Sequence, residues 1–212
     1  MIGEVTKLDY SEACGFLLPK HYSGRKPQIT RAFGWLIDGE LVAVCTFGKP
    51  ASPALCVGIC GKEFSQSVYE LNRLCRIPSL EHPLSSFVAK CLRLLRVENW
   101  IVVSYSDTAM NHHGYIYQAC NFMYTGSTKR RTDKYTQGNL HSRHYTEDDQ
   151  QGLRKVRSSK HRYVFFCTSD KKQKRVWLEN MNYGIEDYPK GDNSNYNLGE
   201  YLEPEIVPTE KK

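Results

Sequence analysis

The stretch Asn111 to Phe122, NHHGYIYQACNF, sets two adjacent histidines, His112 and His113, just ahead of Tyr117 and a closing Phe122. Imidazoles are common metal ligands, but neighbours on a helix project about 100° apart and cannot share an ion as an i, i+4 pair would. They are expected instead to cap the helix or to face a ligand. The closest cysteine pair, Cys56 and Cys60, lacks a second Cys/His pair at zinc spacing, so no structural metal is predicted there. Other cysteines sit in apolar runs (Cys45 in LVAVCTF, Cys91 in FVAKCLRLL, Cys167 in YVFFCTS), as buried free thiols of a reducing compartment do.

A second set of chemically capable residues is collective. Residues 126–176 carry 14 Lys and Arg against 5 Asp and Glu, whereas 1–125 carry 12 against 10 and 177–212 carry 3 against 8. In the basic segment, Lys129, Arg130 and Arg131, then Arg154, Lys155, Arg157, Lys160, His161 and Arg162, are interleaved with Tyr135, Tyr145, Tyr163, Phe165 and Trp177. A solvated charged face is one reading of such a run. Cations that grip phosphates, with rings that stack on bases, are the other, and the concentrated positive field favours a nucleic-acid partner.

These residues need a scaffold. A chain of 212 residues with 40% hydrophobic and 12% aromatic content can bury a core plus an appendage. No apolar run approaches the roughly 20 residues that span a bilayer, and the start has neither a basic nor an apolar signal region, so a cytoplasmic protein with no membrane partner is expected. AFGWLIDGELVAVCTFG reads as two strands joined at Asp38-Gly39. SVYELNRLCRIP reads as a strand ended by Pro78, and HPLSSFVAKCLRLLR as a helix with an apolar stripe. WIVVSYSD is a buried strand, the histidine stretch a short helix, and MYTGSTKRR the entry to another strand. The expected division is a catalytic core over 1–140, a basic nucleic-acid-binding extension packed on it over 141–187, and an acidic, loosely ordered tail over 188–212.

The order strand, helix, strand, short helix ending in YIYQACNF resembles the GNAT N-acetyltransferase superfamily. That resemblance implies an α/β (α+β) fold with a mixed central sheet splayed at the active site, and Tyr117 in the position of the general acid. Asn121 stands where that superfamily has glycine, a mild change because Asn also tolerates the left-handed helix end. The resemblance also implies a donor site near Arg76, Ser85 and Ser86, yet RIPSLEHPLSS has no glycine to let backbone amides crowd a phosphate.

HYSGR, ELNRL, SSF, SYSD and GYIYQACNF, in that order, resemble the phage Mom proteins, which modify adenine in double-stranded DNA at N6 and so block restriction enzymes. This resemblance implies a site made of His21, Tyr22, Arg73, Ser86, Asp107 and Tyr117, and a phage or prophage gene acting in a bacterial host. As an acyl transfer, the reaction would use a glycyl donor such as an aminoacyl-tRNA, with acetyl-CoA as the conventional alternative. Iron held by Tyr22 or His21 with Asp107 would suit oxidative chemistry, but one carboxylate with one imidazole falls short of the usual two-histidine, one-carboxylate set. Each residue also has a structural reading: Tyr117 as a core aromatic, Ser86 and Asp107 as helix caps, Arg73 as a partner of Glu70 or Glu63. A conventional acetyltransferase and a non-catalytic nucleic-acid-binding module remain open alternatives, and the oligomeric state is not legible.

Overall fold

Asp38 and Gly39 adopt φ of 52° and 83°, the left-handed pair of a two-residue hairpin turn. They join β2 (Arg31–Ile37) to β3 (Glu40–Gly48), as the Asp-Gly signal predicts. The computed structural model describes residues 3–21, 25–80, 82–136, 152–192 and 205–209. Upstream of the hairpin, β1 (Glu4–Lys7) pairs antiparallel with β2, and α1 (Tyr10–Leu17) starts on a capping box in which Asp9 and Glu12 accept each other's backbone N–H at 2.7 and 2.8 Å. Downstream, α2 (Pro53–Cys60) starts on a Ser52 cap with proline in its first turn.

The remaining expected elements form as read: β4 (Val68–Arg76), α3 (Leu84–Leu95), β5 (Trp100–Asp107), α4 (Tyr115–Ala119) and β6 (Met123–Ser127). After them come β7 (Arg131–Lys134), β8 (Leu153–Arg157), β9 (Lys160–Cys167), α5 (Lys171–Glu179) and β10 (Ile206–Pro208). The main sheet has the order β1-β2-β3-β4-β5-β9-β6, and β10-β8-β7 make a smaller one. Among the described residues, only β4 and β5 run parallel in the main sheet. They pair over just Val68–Glu70 and Ile101–Val103, then diverge while each continues toward Arg76 and Asp107. At the apex of this splay the buried Ser104 hydroxyl donates to the Leu71 carbonyl at 2.9 Å, replacing the ladder bond the divergence removes. The expected mixed sheet, open at one point, is therefore present.

Helices cover both faces. Phe87, Val88, Cys91, Leu92 and Leu95 of α3 pack with Phe33, Phe47, Val102, Phe122 and Tyr163 on one side. Ile59 and Cys60 of α2 and Trp177 of α5 pack with Val68, Ile101, Val103, Val164 and Phe166 on the other, beside the α1 cluster of Ala13, Phe16 and Leu17. Each large side chain so buried contributes about 1.5–3 kcal/mol. No described helix is long and apolar enough to cross a membrane.

One expectation is corrected. The basic segment over 141–187, expected as an extension packed on a finished core, supplies a strand of the core itself: β9 lies between β5 and β6. The reason is that Tyr163, Val164, Phe166 and Cys167 are buried on both sheet faces, an apolar run hidden among cations. The tail over 188–212, expected to be loosely ordered or draped on the surface, makes contacts with the core and the small sheet where it is described. Tyr188 donates to the Phe122 carbonyl at 2.8 Å, Gln118 to the Pro189 carbonyl at 3.1 Å, and β10 pairs with β8.

Candidate active site

A cavity of about 520 Å³ opens where β4 and β5 part, and its walls include His21, Glu70, Arg73, Arg76, Tyr105, Asp107, Tyr117 and Lys160. Of the residues that the family resemblance implies, His21, Arg73, Asp107 and Tyr117 meet there. Ser85 and Ser86 do not line it, and Ser86 is exposed on the first turn of α3. Tyr22 lies outside the described residues.

Tyr117 is fixed by the way its short helix begins and ends. Gly114 starts α4 at φ 72°, and a Cβ there would fall 2.5 Å from the Tyr163 ring. At the other end Asn121 sits at φ 59°, its N–H donating to the Gln118 carbonyl at 3.0 Å, while Phe122 N–H donates to the Tyr117 carbonyl at 3.0 Å. These two bonds are a Schellman stop, with Asn in the left-handed position usually held by glycine. Its hydrophobic contact is the Tyr117–Phe122 pair, ring centroids 5.4 Å apart. The tyrosine is thus packed against the core and open to the cavity at once. His112 also lines the cavity, whereas the His113 ring lies 5.8 Å from the His161 ring; α4 is entered through Gly114, which has no side chain to cap it.

On the opposite wall the strands bring charges together. Thr46 of β3 pairs with Arg73 and Phe47 with Leu71, so Asn72 is an extra residue in β4. Such a bulge resets the alternation of faces, and Glu70 and Arg73, which a regular strand would point apart, both line the cavity. Asp107 and Lys160 are cross-strand partners of β5 and β9, and Lys160 Nζ lies 3.1 Å from the Asp107 carboxylate. Ser158 donates to the same carboxylate at 2.5 Å, and Ala109 N–H at 3.0 Å, so Asp107 is also the cap of the turn Thr108–Met110.

The two carboxylates are tuned differently. Burial pushes Asp107 up, but Lys160, Ser158 and the Ala109 amide together hold it below the ordinary carboxylate value. Burial raises Glu70 despite the Arg73 and Lys160 charges. Tyr105 is raised, first by burial and then by Glu70. His21 is pushed down to about 3 by burial and by the same two cations, so its imidazole is neutral. The site therefore offers a stable anion, a carboxylate that takes up a proton more readily, a neutral imidazole and phenolic groups, the materials of proton transfer and oxyanion stabilisation. Glu70, Tyr105 and the cavity role of Lys160 were not anticipated; the bulge that presents Glu70 leaves no mark in the sequence.

The donor side fits a phosphate group poorly. Arg76 donates to the Leu80 carbonyl, the cap position of α3 is Pro83, and Ser86 N–H is taken by the Pro83 carbonyl at 3.0 Å. These residues do not build a cradle for a CoA pyrophosphate. Among the described residues no group of three or more His, Cys, Asp or Glu side chains is arranged to hold a metal ion.

The cations expected on nucleic acid divide by environment. Arg130 pairs with Glu205, Arg154 donates to Thr132 at 2.7 Å, and His161 Nδ1 bonds Tyr124 and Ser127, each at 3.0 Å. Arg162 donates to Thr125 at 2.9 Å and lies 3.4 Å from the Tyr183 ring centroid. Lys129 and Arg131 are exposed, and Lys155 and Arg157 partly so.

The family model of the Mom protein family matches residues 3–190. No curated protein matches. Among solved structures, an N-acetyltransferase from Staphylococcus aureus Mu50 is 12% identical with a TM-score of 0.49, the match covering 78% of this chain and 99% of that one. The ribosomal-protein-S18-alanine N-acetyltransferase from Escherichia coli is 9% identical with a TM-score of 0.47, covering 80% and 97%. A Bacillus subtilis acetyltransferase in complex with CoA is 14% identical with a TM-score of 0.45, covering 77% and 98%.

Proposed function

Because the chain belongs to the Mom protein family, we propose that it is an acyltransferase acting on DNA. The reaction joins a glycyl-type unit to adenine N6 and yields N6-carbamoylmethyladenine, which protects phage DNA from restriction endonucleases. The observation that carries this reading is the convergence of His21, Arg73, Asp107 and Tyr117 on one cavity at the strand splay, beside the small sheet formed by the basic strands β7 and β8 with β10.

An exocyclic amine is a poor nucleophile and must leave the base stack to react, so it needs a polar pocket. In this reading Asp107, kept ionised by Lys160, accepts a hydrogen bond from N6 and orients the base. N6 attacks the carbonyl carbon of an activated glycyl ester, Glu70 takes the proton that N6 sheds, and Tyr117 protonates the departing alcohol oxygen. Arg73 stabilises the negative charge on the carbonyl oxygen. The glycyl amine then attacks C6; the C6–N6 bond breaks, and the former N6 becomes the amide nitrogen of the carbamoylmethyl group. The donor in this scheme is a glycyl ester of the aminoacyl-tRNA type.

Nucleoside mass spectrometry of digested genomic DNA from bacteria expressing the chain tests the reading. The expected product is a deoxyadenosine heavier by one glycyl unit, absent with Tyr117→Phe, Asp107→Ala or Glu70→Gln. Unmodified DNA together with tight acetyl-CoA binding would instead establish a conventional acetyltransferase. Unmodified DNA with intact DNA binding in all three variants would leave a binding module.

A further inference from the structure

Among the described residues, Arg131, Lys155 and Arg157 of the small sheet are set around one carboxylate, Asp133. In the small sheet Arg131 lies opposite Arg157, and Asp133 opposite Lys155. Side chains alternate along a strand, so these four share one face, and Thr132, Lys134, Arg154 and Val156 take the other. Asp133 bonds Arg157 at 2.9 Å and reaches Arg131 at 4.0 Å. Like charges directly opposite each other destabilise a sheet, and here a single acidic side chain is shared between them. Arg25, from the loop before β2, adds a further positive charge: burial first, then Arg25 and Arg157, lower the Lys155 ammonium against the pull of Asp133.

This cluster touches the cavity at two points. The Arg25 carbonyl accepts from Arg73 Nη2 at 3.5 Å, and Arg73 is a cavity wall. Arg157 is followed by Ser158, whose hydroxyl donates to Asp107 at 2.5 Å. Three other cations of the basic segment have local partners: Arg130 has Glu205, Arg154 has Thr132, and Arg162 has Thr125 and Tyr183. A concentration of like charge with one carboxylate among it in the described residues is stabilised by a polyanion, and phosphate oxygens accept charge-assisted bonds from the arginine fork and the lysine ammonium alike.

We infer that Arg25, Lys155 and Arg157 form a phosphodiester-binding subsite at the cavity mouth, gripping the backbone of the nucleic-acid strand next to the nucleotide whose base enters the cavity. This rests on the reading of DNA as the substrate. It assigns three cations to the reacting strand, of which Arg157 is also held in place by Asp133, and it includes Arg25, which lies far from the basic segment in sequence.

The test measures fluorescence anisotropy of the full chain with a labelled, adenine-containing duplex over a range of salt. Each phosphate contact contributes about 0.9 to the slope of log affinity against log salt. The double variant Arg25→Gln/Lys155→Gln is expected to lose about 1.8 from that slope on the same basis. The charge-retaining Arg25→Lys/Lys155→Arg restores it, and Lys174→Gln on the exposed face of α5 leaves it unchanged. A neutral methylphosphonate linkage next to the target adenine weakens binding by the wild-type chain more than it weakens binding by the double glutamine variant, which keeps only Arg157 of the three. An unchanged slope in that variant, with the wild type still binding DNA, would overturn the subsite alone; strictly additive penalties from the methylphosphonate and the substitutions would do the same. A wild-type chain with no salt-dependent affinity for DNA would overturn the subsite and the DNA reading together.

Discussion

His21 is a buried imidazole beside two cations, and that placement has a thermodynamic signature. Its folded-state pKa of about 3 lies below the ordinary value of 6.5. Between those values the unfolded chain binds a proton that the folded chain does not, so the stability attached to neutral His21 is complete above 6.5 and is lost as the pH falls toward about 3. The limiting slope is about 1.4 kcal/mol per pH unit. Glu70, raised by burial, acts in the opposite sense in the same cavity, so the comparison must be with a variant. Urea midpoints of His21→Gln are expected to fall less steeply with acidification than those of the wild type; equal slopes would mean that His21 is solvated when folded. Neither the neutrality of His21 nor the contrast between Glu70 and Asp107 is legible in sequence. ELNRL offers Glu70 and Arg73 three residues apart, and without the bulge at Asn72 alternation assigns them to opposite faces. What the sequence did carry was residue identity in family phrases, which brought four of the six implied residues to one cavity.

At the scale of elements, the ends of α4 decide where Tyr117 stands. Asn121 occupies the left-handed position of the Schellman stop at φ 59°, where a Cβ without a compensating polar group costs about 1–2 kcal/mol. Asn121→Ala is therefore expected to lower stability by about 1 kcal/mol and to reduce activity by loosening Tyr117, whereas Asn121→Gly keeps both. Chemical denaturation and the modification assay read the two effects; an Ala variant as stable as the Gly variant would show that the stop does not hold the helix. This element was legible because its signals are local: an Asn before Phe122, a Gly before Tyr115, an apolar helix stripe in α3 and the Asp38-Gly39 turn. The capping box of α1 was equally local, as D-x-x-E ahead of an apolar run, and passed unread in LDYSEACGF. The central position of β9 was not local at all. Its register against β5 and β6 is set by partners 34 to 67 residues away in sequence, and its cations masked the buried alternation of Tyr163, Val164, Phe166 and Cys167.

Over the whole molecule, charge is segregated by sequence and partly recombined by the fold. The C-terminal residues return to the basic strands: β10 pairs with the free edge of β8, Val156 N–H donates to the Glu205 carbonyl at 2.8 Å, and Glu205 pairs with Arg130. Two interpretations of this return differ in sign. If the tail chiefly neutralises the basic surface, removing it strengthens binding to DNA. If it chiefly completes the small sheet, removing it leaves β7 and β8 as a two-stranded ribbon, which is marginal in water, and binding weakens. Residues 205–212 carry Glu205 and Glu210 against Lys211 and Lys212, so their deletion leaves net charge unchanged while removing both β10 and the Glu205 partner of Arg130. The outward edge of β8 would lose its ladder, and the face bearing Lys155 and Arg157 would lose its order. Deletion of 205–212 is therefore expected to weaken affinity for duplex DNA while the main sheet, whose strands and clusters do not include β10, melts at the wild-type temperature. Anisotropy and a thermal melt read together decide it: tighter binding at an unchanged melting temperature would make the tail a competitor for the polyanion rather than a strand of its binding surface.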